Sequence, residues 1–466
     1  MNNIRLSEGV NTGALCDFIK ECHLNGTYIR TFSCVKNDRL LASAAIEPYT
    51  FSDKSLIYSL SKSFTSICVG IAQSEGLLSI EEKIVDVFPD KLPEQVSENL
   101  SQMRIKDCLC MTSGHDACIM SRIMHEPDTI KSFLAYPVKH TPGATFVYST
   151  AATYICGAAL ERRSGMQLVD YLYEKVLMHL DVEKPKWARC ADGSCKGGTG
   201  LYLSGDDIIR FGIILRDGGV YNGKRIVSEE WINTASSVHS TAQENGTPDW
   251  TAGYGYQFWM NAKEGFRGDG AYGQLCMVFP ERNMVFTMLC ESTNMQKEVE
   301  LVYELLDKIE KADSSRLDEL EDITENLYKP KKSTAPQSKL NFKAKKNIAG
   351  IKAVTLEPKG ESIALTLDCD YGLQKIECGN GVYINNILML QNLNPAIYND
   401  HIYDAPEAVN VFASFVYDGK KVCVTLRHKD TPHVQVWCFD TDSGEWSFSL
   451  RTGVLNEKIK QIELIK

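Results

Sequence analysis

Two residues three positions apart carry the first sign of chemistry in this sequence. Ser59 and Lys62 form a Ser-x-x-Lys motif where an apolar stretch, Leu60 to Ser74, begins. Residues three apart share one face of a helix, so the hydroxyl and the amine can touch. Burial disfavours an ammonium, so a lysine on such a helix can be neutral and act as a base. Solvated side chains reach this spacing by chance, but the apolar stretch favours nucleophilic catalysis by Ser59.

A second group of polar residues precedes a predicted helix, Ala151 to Arg163. Tyr148 carries a phenol, which can relay protons when it lies beside a lysine. Two plainer interpretations stay open. Tyr148 can be a half-buried core aromatic, and Ser149 or Thr150 can simply cap the helix. For Thr150, capping and a role in the site are equally well supported.

A third segment, residues 266–274, is rich in glycine. Gly268 and Gly270 beside a strand would let a substrate approach the backbone closely. The exposed N–H groups of such a strand can form half of an oxyanion hole. A plain glycine-rich turn is the simpler prediction when this segment is taken alone.

Together, and in this order, the three segments resemble serine hydrolases related to class C β-lactamases, penicillin-binding proteins and their esterase relatives. The resemblance extends over about residues 25–310 and excludes the C-terminal region. Four further segments carry it: Met111–His115, Gly198–Asp206, Arg210–Gly212 and Gly253–Trp259.

The resemblance implies roles for four residues. Ser59 matches the acylated nucleophile, and Lys62 matches the general base or proton shuttle beside it. Tyr148 matches the tyrosine that activates the serine or the deacylating water. Thr150 stands where the family element ends in Asn or Ser, so it keeps a hydroxyl and loses any amide contact.

The third segment departs from the family pattern. Gly268 and Gly270 occupy the place of a Lys/His-x-Gly element, and the N–H groups of the nucleophile and of Ala271 would form the oxyanion hole. Family members that process β-lactams present a cation where this chain has Gly268. Arg267 is one residue away and would point to the other face of a strand, and Asp269 adds a negative charge. We therefore expect a poor β-lactamase.

These observations predict a serine hydrolase that cleaves an ester or amide bond of a small substrate, a peptide included, through an acyl-enzyme on Ser59. One alternative is a true class C-type β-lactamase or a D-amino-acid peptidase. Another is a non-catalytic binding or scaffold protein on the same fold, which the presence of Ser59, Lys62 and Tyr148 disfavours. No cofactor is expected, and the oligomeric state is left open.

Composition and charge exclude several other classes. The net charge of −10 disfavours nucleic-acid binding as the main role. No apolar run approaches the roughly 20 residues of a membrane-spanning helix. The N-terminus lacks the pattern of a secretory signal, so we expect a cytoplasmic protein. The 16 cysteines, Cys423 among them, are then expected to be reduced thiols, without zinc-binding spacing.

The order of predicted elements indicates an α+β fold, with helices packed on an antiparallel sheet and a mainly helical subdomain. Predicted strands include Tyr28–Val35, Leu40–Ile46, Tyr254–Met260, Ala271–Phe279 and Met284–Glu291. A hydrolase domain is expected over residues 1–328 and a Lys/Pro-containing linker over 329–346. Residues 347–466 are predicted as a separate all-β barrel or sandwich without a catalytic motif.

Overall fold

The computed structural model describes residues 3–241, 246–347, 349–390, 407–443, 445–451 and 464–465. Strands and helices are interspersed before residue 328. The strands are Ile4–Leu6 (β1), Thr27–Lys36 (β2), Arg39–Ala45 (β3), Ser55–Leu56 (β4), Tyr202–Leu203 (β5), Val220–Tyr221 (β6), Lys224–Arg225 (β7), Trp259–Met260 (β8), Phe266–Gly270 (β9), Gln274–Phe279 (β10) and Met284–Ser292 (β11).

Helices of very different lengths surround these strands. They are Thr12–Leu24 (α1), Ser61–Ser74 (α2), Ile84–Val87 (α3), Glu98–Gln102 (α4), Ile105–Leu109 (α5), Met120–Ile123 (α6), Thr129–Ala135 (α7), Thr150–Ser164 (α8), Leu168–Lys175 (α9), Gly205–Arg216 (α10), Glu229–Ala235 (α11), Pro248–Thr251 (α12), Met295–Leu306 (α13) and Leu317–Asn326 (α14).

Seven strands form one antiparallel sheet in the order β1-β3-β2-β11-β10-β9-β8. Side chains of α1, α13 and α14 pack with one face of this sheet in a common core. The other face meets α2 and α10, and α8 packs against α2; the buried side chains of these three helices belong to a second core. The α+β prediction, with its mainly helical subdomain, is confirmed.

Helix α2 is central in this arrangement. All of its residues from Ser61 to Ala72 are buried, as expected for so apolar a helix. A short 3-10 turn, Tyr58–Leu60, precedes it and carries Ser59. At the start of α8, the Ser149 side chain accepts a hydrogen bond from the Ala152 N–H. Ser149 is therefore the cap of that helix.

Two predicted strands differ from those observed. Residues 271–273 form a turn, so the strand predicted from Ala271 begins at Gln274. Of the strand predicted over Tyr254–Met260, only Trp259–Met260 forms. The glycine-rich segment instead supplies a strand of the main sheet, β9. Its glycines allow close packing against α2, and this long-range contact cannot be predicted from local strand propensity.

The C-terminal region is all β, as predicted, and its ten described strands form two antiparallel sheets around one core. The first sheet holds Leu340–Ala344 (β12), Ile351–Lys359 (β13), Ser362–Cys369 (β14), Gly372–Cys378 (β15) and, added last, Leu464–Ile465 (β21); the second holds Ile384–Leu390 (β16), Glu407–Tyr417 (β17), Lys421–His428 (β18), Val434–Asp440 (β19) and Trp446–Leu450 (β20). Strand β12 falls within the segment predicted as a linker, and the boundaries at 328 and 346 stay predictions.

One expectation about the cysteines is wrong. Cys423 and Cys438 are cross-strand partners on β18 and β19 and form a disulfide. The register of these strands places the two residues opposite each other, which the sequence alone does not reveal. Within the described ranges, no group of three or more His, Cys, Asp and Glu side chains is arranged to hold a metal ion. In the same ranges, no helix is long and apolar enough to cross a membrane.

Candidate active site

The predicted pair of side chains is in contact. Lys62 Nζ lies 3.0 Å from Ser59 Oγ, because the 3-10 turn and the first turn of α2 stack the two residues. The same nitrogen lies 3.1 Å from Thr150 Oγ1 and donates to the Gly198 carbonyl oxygen at 2.7 Å. Thr150 therefore contacts Lys62, while its neighbour Ser149 caps the helix.

The surroundings of Lys62 weaken its hold on a proton. The side chain is buried and its three hydrogen-bond partners are neutral. Burial lowers the pKa of Lys62 from 10.5 to about 8, although Cys118 and Asp269 act in the opposite direction. With this pKa, a substantial fraction of the Lys62 amines is uncharged just above neutral pH, and the uncharged amine can accept the proton of Ser59.

Tyr148 lies next to this pair of side chains. Its ring centroid lies 4.9 Å from Lys62 Nζ. The ring stacks on Trp259 with centroids 5.5 Å apart and meets Tyr254 edge-on. These two aromatic neighbours fix the ring next to the lysine while the side chain stays half-buried. A phenol in this position can take part in proton transfer.

Strand β9 forms the opposite wall of the site. A Cβ added at Gly268 would lie 2.5 Å from Ser63 Oγ, and one added at Gly270 would lie 2.1 Å from the Ile57 carbonyl oxygen. Only glycine lets the strand approach the nucleophile turn so closely. The approach brings Ala271, at the end of β9, to the segment that carries Ser59.

The charges on β9 neutralise each other. The buried Arg267 donates from Nε to Asp269 Oδ2 at 3.0 Å. It also donates to the Asp249 carbonyl and to Asn261 Oδ1. Burial raises the pKa of Asp269, and Arg267 and Lys62 oppose this. Arg267 is thus committed to partners inside the protein and does not replace the family cation missing at Gly268.

Three contributors to the site escaped sequence reasoning. The carbonyl of Gly198 orients Lys62, and a backbone acceptor has no signature of its own. Cys118 Sγ accepts from the Thr150 N–H at 3.2 Å, at the start of α8. His433, from the C-terminal region, hydrogen-bonds Tyr58, the residue before the nucleophile. The glycine pattern around Gly198 was part of the family resemblance; nothing singled out Cys118 or His433.

The fold and this pocket define a hydrolase of the β-lactamase type. The profile of the β-lactamase family matches residues 31–309, which is more than half of the chain. The chain therefore belongs to the β-lactamase family.

Individual relatives agree with this assignment. The chain is 23% identical over 293 residues to a 6-aminohexanoate-dimer hydrolase from Paenarthrobacter ureafaciens, covering 58% of this chain and 74% of that one. The structure of a family VIII carboxylesterase matches 65% of this chain and 99% of its own, with 14% identity and a TM-score of 0.52.

A third relative extends beyond the hydrolase region. The octameric penicillin-binding protein homologue from Pyrococcus abyssi matches 97% of this chain and 98% of its own length, with 13% identity and a TM-score of 0.51. The C-terminal β region is therefore part of the shared fold.

Proposed function

We propose that this protein hydrolyses an ester or amide bond of a small substrate through an acyl-enzyme on Ser59. The observation that carries the proposal is the buried Lys62 amine, 3.0 Å from Ser59 Oγ and surrounded by neutral partners. Lys62 removes the hydroxyl proton as Ser59 attacks the carbonyl carbon, and the proton then passes to the leaving group. Water next attacks the acyl-enzyme and releases the acid.

Two further elements complete the proposed mechanism. The N–H groups of Ser59 and Ala271 stabilise the oxyanion of each tetrahedral intermediate. Tyr148 lies beside Lys62 and assists proton transfer to the leaving group and from the deacylating water. Thr150 orients the Lys62 amine through its hydroxyl.

The charge distribution favours esters and simple amides over β-lactams. A β-lactam carries a carboxylate, and its recognition benefits from a cation in the middle of β9. Gly268 stands there, and Arg267 is buried and paired with Asp269. The relative from Paenarthrobacter is named for the dimer of an ω-amino acid, so linear amides of that type belong in the substrate panel. A cytoplasmic location remains part of the proposal.

The direct test is covalent labelling. A fluorophosphonate probe should acylate the wild-type protein at Ser59, as located by mass spectrometry of the labelled peptide. Ser59→Ala should not be labelled and should lose turnover of short acyl esters, with an unchanged melting temperature. Ser52→Ala, at an exposed serine nearby, serves as the matched control. Absence of labelling in folded wild-type protein would refute the proposed enzymatic function.

Nitrocefin, short acyl esters and a linear 6-aminohexanoate dimer should be assayed side by side. We expect ester or amide turnover to exceed nitrocefin turnover. The reverse order would favour the β-lactamase alternative.

A further inference from the structure

The C-terminal β region reaches the segment that precedes the nucleophile. The loop between β18 and β19, Lys429–His433, is here called the docking loop. Its Asp430 carbonyl accepts from the Leu56 N–H at 2.8 Å, and Lys429 Nζ lies 2.8 Å from Asp53 Oδ1. The Arg30 guanidinium donates to the Lys429 carbonyl. The loop is thus fastened to the strand and turn that lead into Ser59.

One side chain of the docking loop extends further. His433 is completely buried, and its Nε2 shares a hydrogen bond of 2.6 Å with the Tyr58 hydroxyl. The His433 N–H donates to the Thr431 carbonyl, and its own carbonyl accepts from the His428 N–H. Because the backbone on both sides is held, the imidazole has a fixed position.

The same imidazole packs against the other wall of the site. The rings of His433 and Tyr272 are 5.0 Å apart and meet edge-on. Tyr58 and Tyr272 meet in the same way at 5.2 Å. Tyr58 directly precedes Ser59, and Tyr272 directly follows Ala271. His433 therefore joins the neighbours of both proposed oxyanion-hole donors.

Both tyrosines have an unusual backbone. Their φ angles are 48° for Tyr58 and 65° for Tyr272, in the left-handed region that side chains with a Cβ rarely adopt. Such conformations persist only where the surroundings impose them, and they cluster at functional sites. The contacts with His433 are a restraint of this kind, applied from another part of the molecule.

We propose that His433 is a positioning residue of the hydrolase site, through which the C-terminal β region keeps the two oxyanion-hole donors aligned. This inference rests on the proposed function. His433 acts through Tyr58 and Tyr272, the neighbours of the two donors, and not on the substrate itself. The catalytic unit accordingly includes the docking loop as well as the family domain.

The test compares His433→Phe, Tyr58→Phe and the double variant in the full-length protein. The first substitution keeps an aromatic ring and loses the hydrogen bond, and the second removes the same bond from the other side. Removing an oxyanion-hole donor outright costs about 10²–10³-fold in kcat, so a loosened donor should cost about tenfold. We expect each single variant to lose about tenfold in kcat and in the fluorophosphonate labelling rate, with KM changed less than about twofold.

Because both substitutions remove the same hydrogen bond, the double variant should be about as slow as either single variant. His433→Gln, whose amide can replace the Nε2 contact, should recover much of the lost rate. His179→Phe, at a partly exposed histidine bonded to Lys224, should match the wild type. Melting temperatures show whether each protein is folded, and Tyr58→Phe tests the bond even if His433→Phe does not fold.

The outcomes separate the two hypotheses. Wild-type labelling combined with unchanged rates in Tyr58→Phe and His433→Phe would overturn this inference and leave the proposed function intact. Additive losses in the double variant would also overturn it. A wild-type protein that is never labelled would refute the proposed function, and with it the role of His433.

Discussion

Two buried charges, Lys62 in the active site and Glu291 at the boundary with the C-terminal region, meet opposite surroundings. Lys62 faces two hydroxyls and a backbone carbonyl. Glu291, on β11, forms ion pairs with Arg427 and Arg451 and accepts from the Tyr49 hydroxyl at 3.1 Å. Both side chains are almost inaccessible to solvent.

The pKa shifts follow from these neighbours. Burial lowers the pKa of Lys62 to about 8, so its charge is easily lost. Burial would raise the pKa of Glu291, but Arg451, Arg427 and Arg30 outweigh it and lower that pKa. The first group can exchange a proton during a reaction. The second keeps its charge and holds two parts of the chain together. In the proposed mechanism, equal burial therefore serves catalysis at Lys62, whereas at Glu291 it serves attachment.

The largest effect should come from removing the amine that distinguishes the first region. Lys62→Met keeps the length of the side chain and cannot accept a proton, so kcat should fall by at least ~100-fold, in the range of general-base losses. The melting temperature should not fall, because no buried amine remains to be desolvated. Steady-state kinetics and thermal denaturation measure both quantities. Lys83→Met, at an exposed lysine, is the control, and near-normal turnover by Lys62→Met would contradict the base role.

The second region should respond in stability. Glu291→Gln leaves the buried Arg427 and the partly exposed Arg451 without their anion, which should cost about 3–5 kcal/mol in the free energy of unfolding. Chemical denaturation of the full-length protein measures the loss. Glu310→Gln breaks an exposed pair with Lys36 and should cost less than about 1 kcal/mol. Equal losses for the two variants would show that the boundary pairs add nothing beyond a surface contact.

The pH dependence of activity sharpens the contrast. The neutral amine of Lys62 is the active form, so kcat/KM should rise about tenfold per pH unit below its pKa and level off above about pH 8. Activity falls at lower pH because protonation of the Lys62 amine removes the base. A substrate without ionisable groups ensures that the profile reports the titration of the enzyme alone. A flat profile between about pH 6 and 9 would contradict a shifted amine.

The smallest expected effect concerns Cys118, the one exposed thiol among the free cysteines that the structure describes. Although burial opposes it, N–H groups of Met120, Ala151 and Thr150, together with Lys62, lower the pKa of Cys118. Iodoacetamide should therefore alkylate Cys118 before the buried thiols and reduce turnover severalfold by crowding Thr150 and Lys62. Cys118→Ser should resist the reagent while its own turnover stays within about threefold of wild type. Faster alkylation elsewhere, mapped by peptide mass spectrometry, would contradict this.

Local pattern predicted much of this molecule. The apolar period of α2 and the spacing of Ser59 and Lys62 predicted a contact that the helix enforces by itself. Strands β2, β3 and β11 were also predicted, because alternation and turn residues are local signals.

The missed features depend on distant neighbours. Taken alone, the segment of strand β9 was expected to form a turn. Its glycines are required by close contacts with Ser63 and Ile57, which are distant in the sequence. The pairing of Cys423 and Cys438 depends on the register of two strands. The ion pair of Arg267 with Asp269 supplies a charge balance that composition does not specify. These relations become visible only once the sheets are assembled.

The hydrogen bond between Tyr58 and His433 joins residues 375 positions apart. During synthesis on the ribosome, Ser59, Lys62 and strand β9 emerge long before His433. A nascent or prematurely terminated chain accordingly carries the complete Ser-Lys-Tyr set with its turn unsupported. If His433 positions the site as proposed, the full hydrolytic rate becomes a late event in the life of the polypeptide, reached when its last sheet has folded.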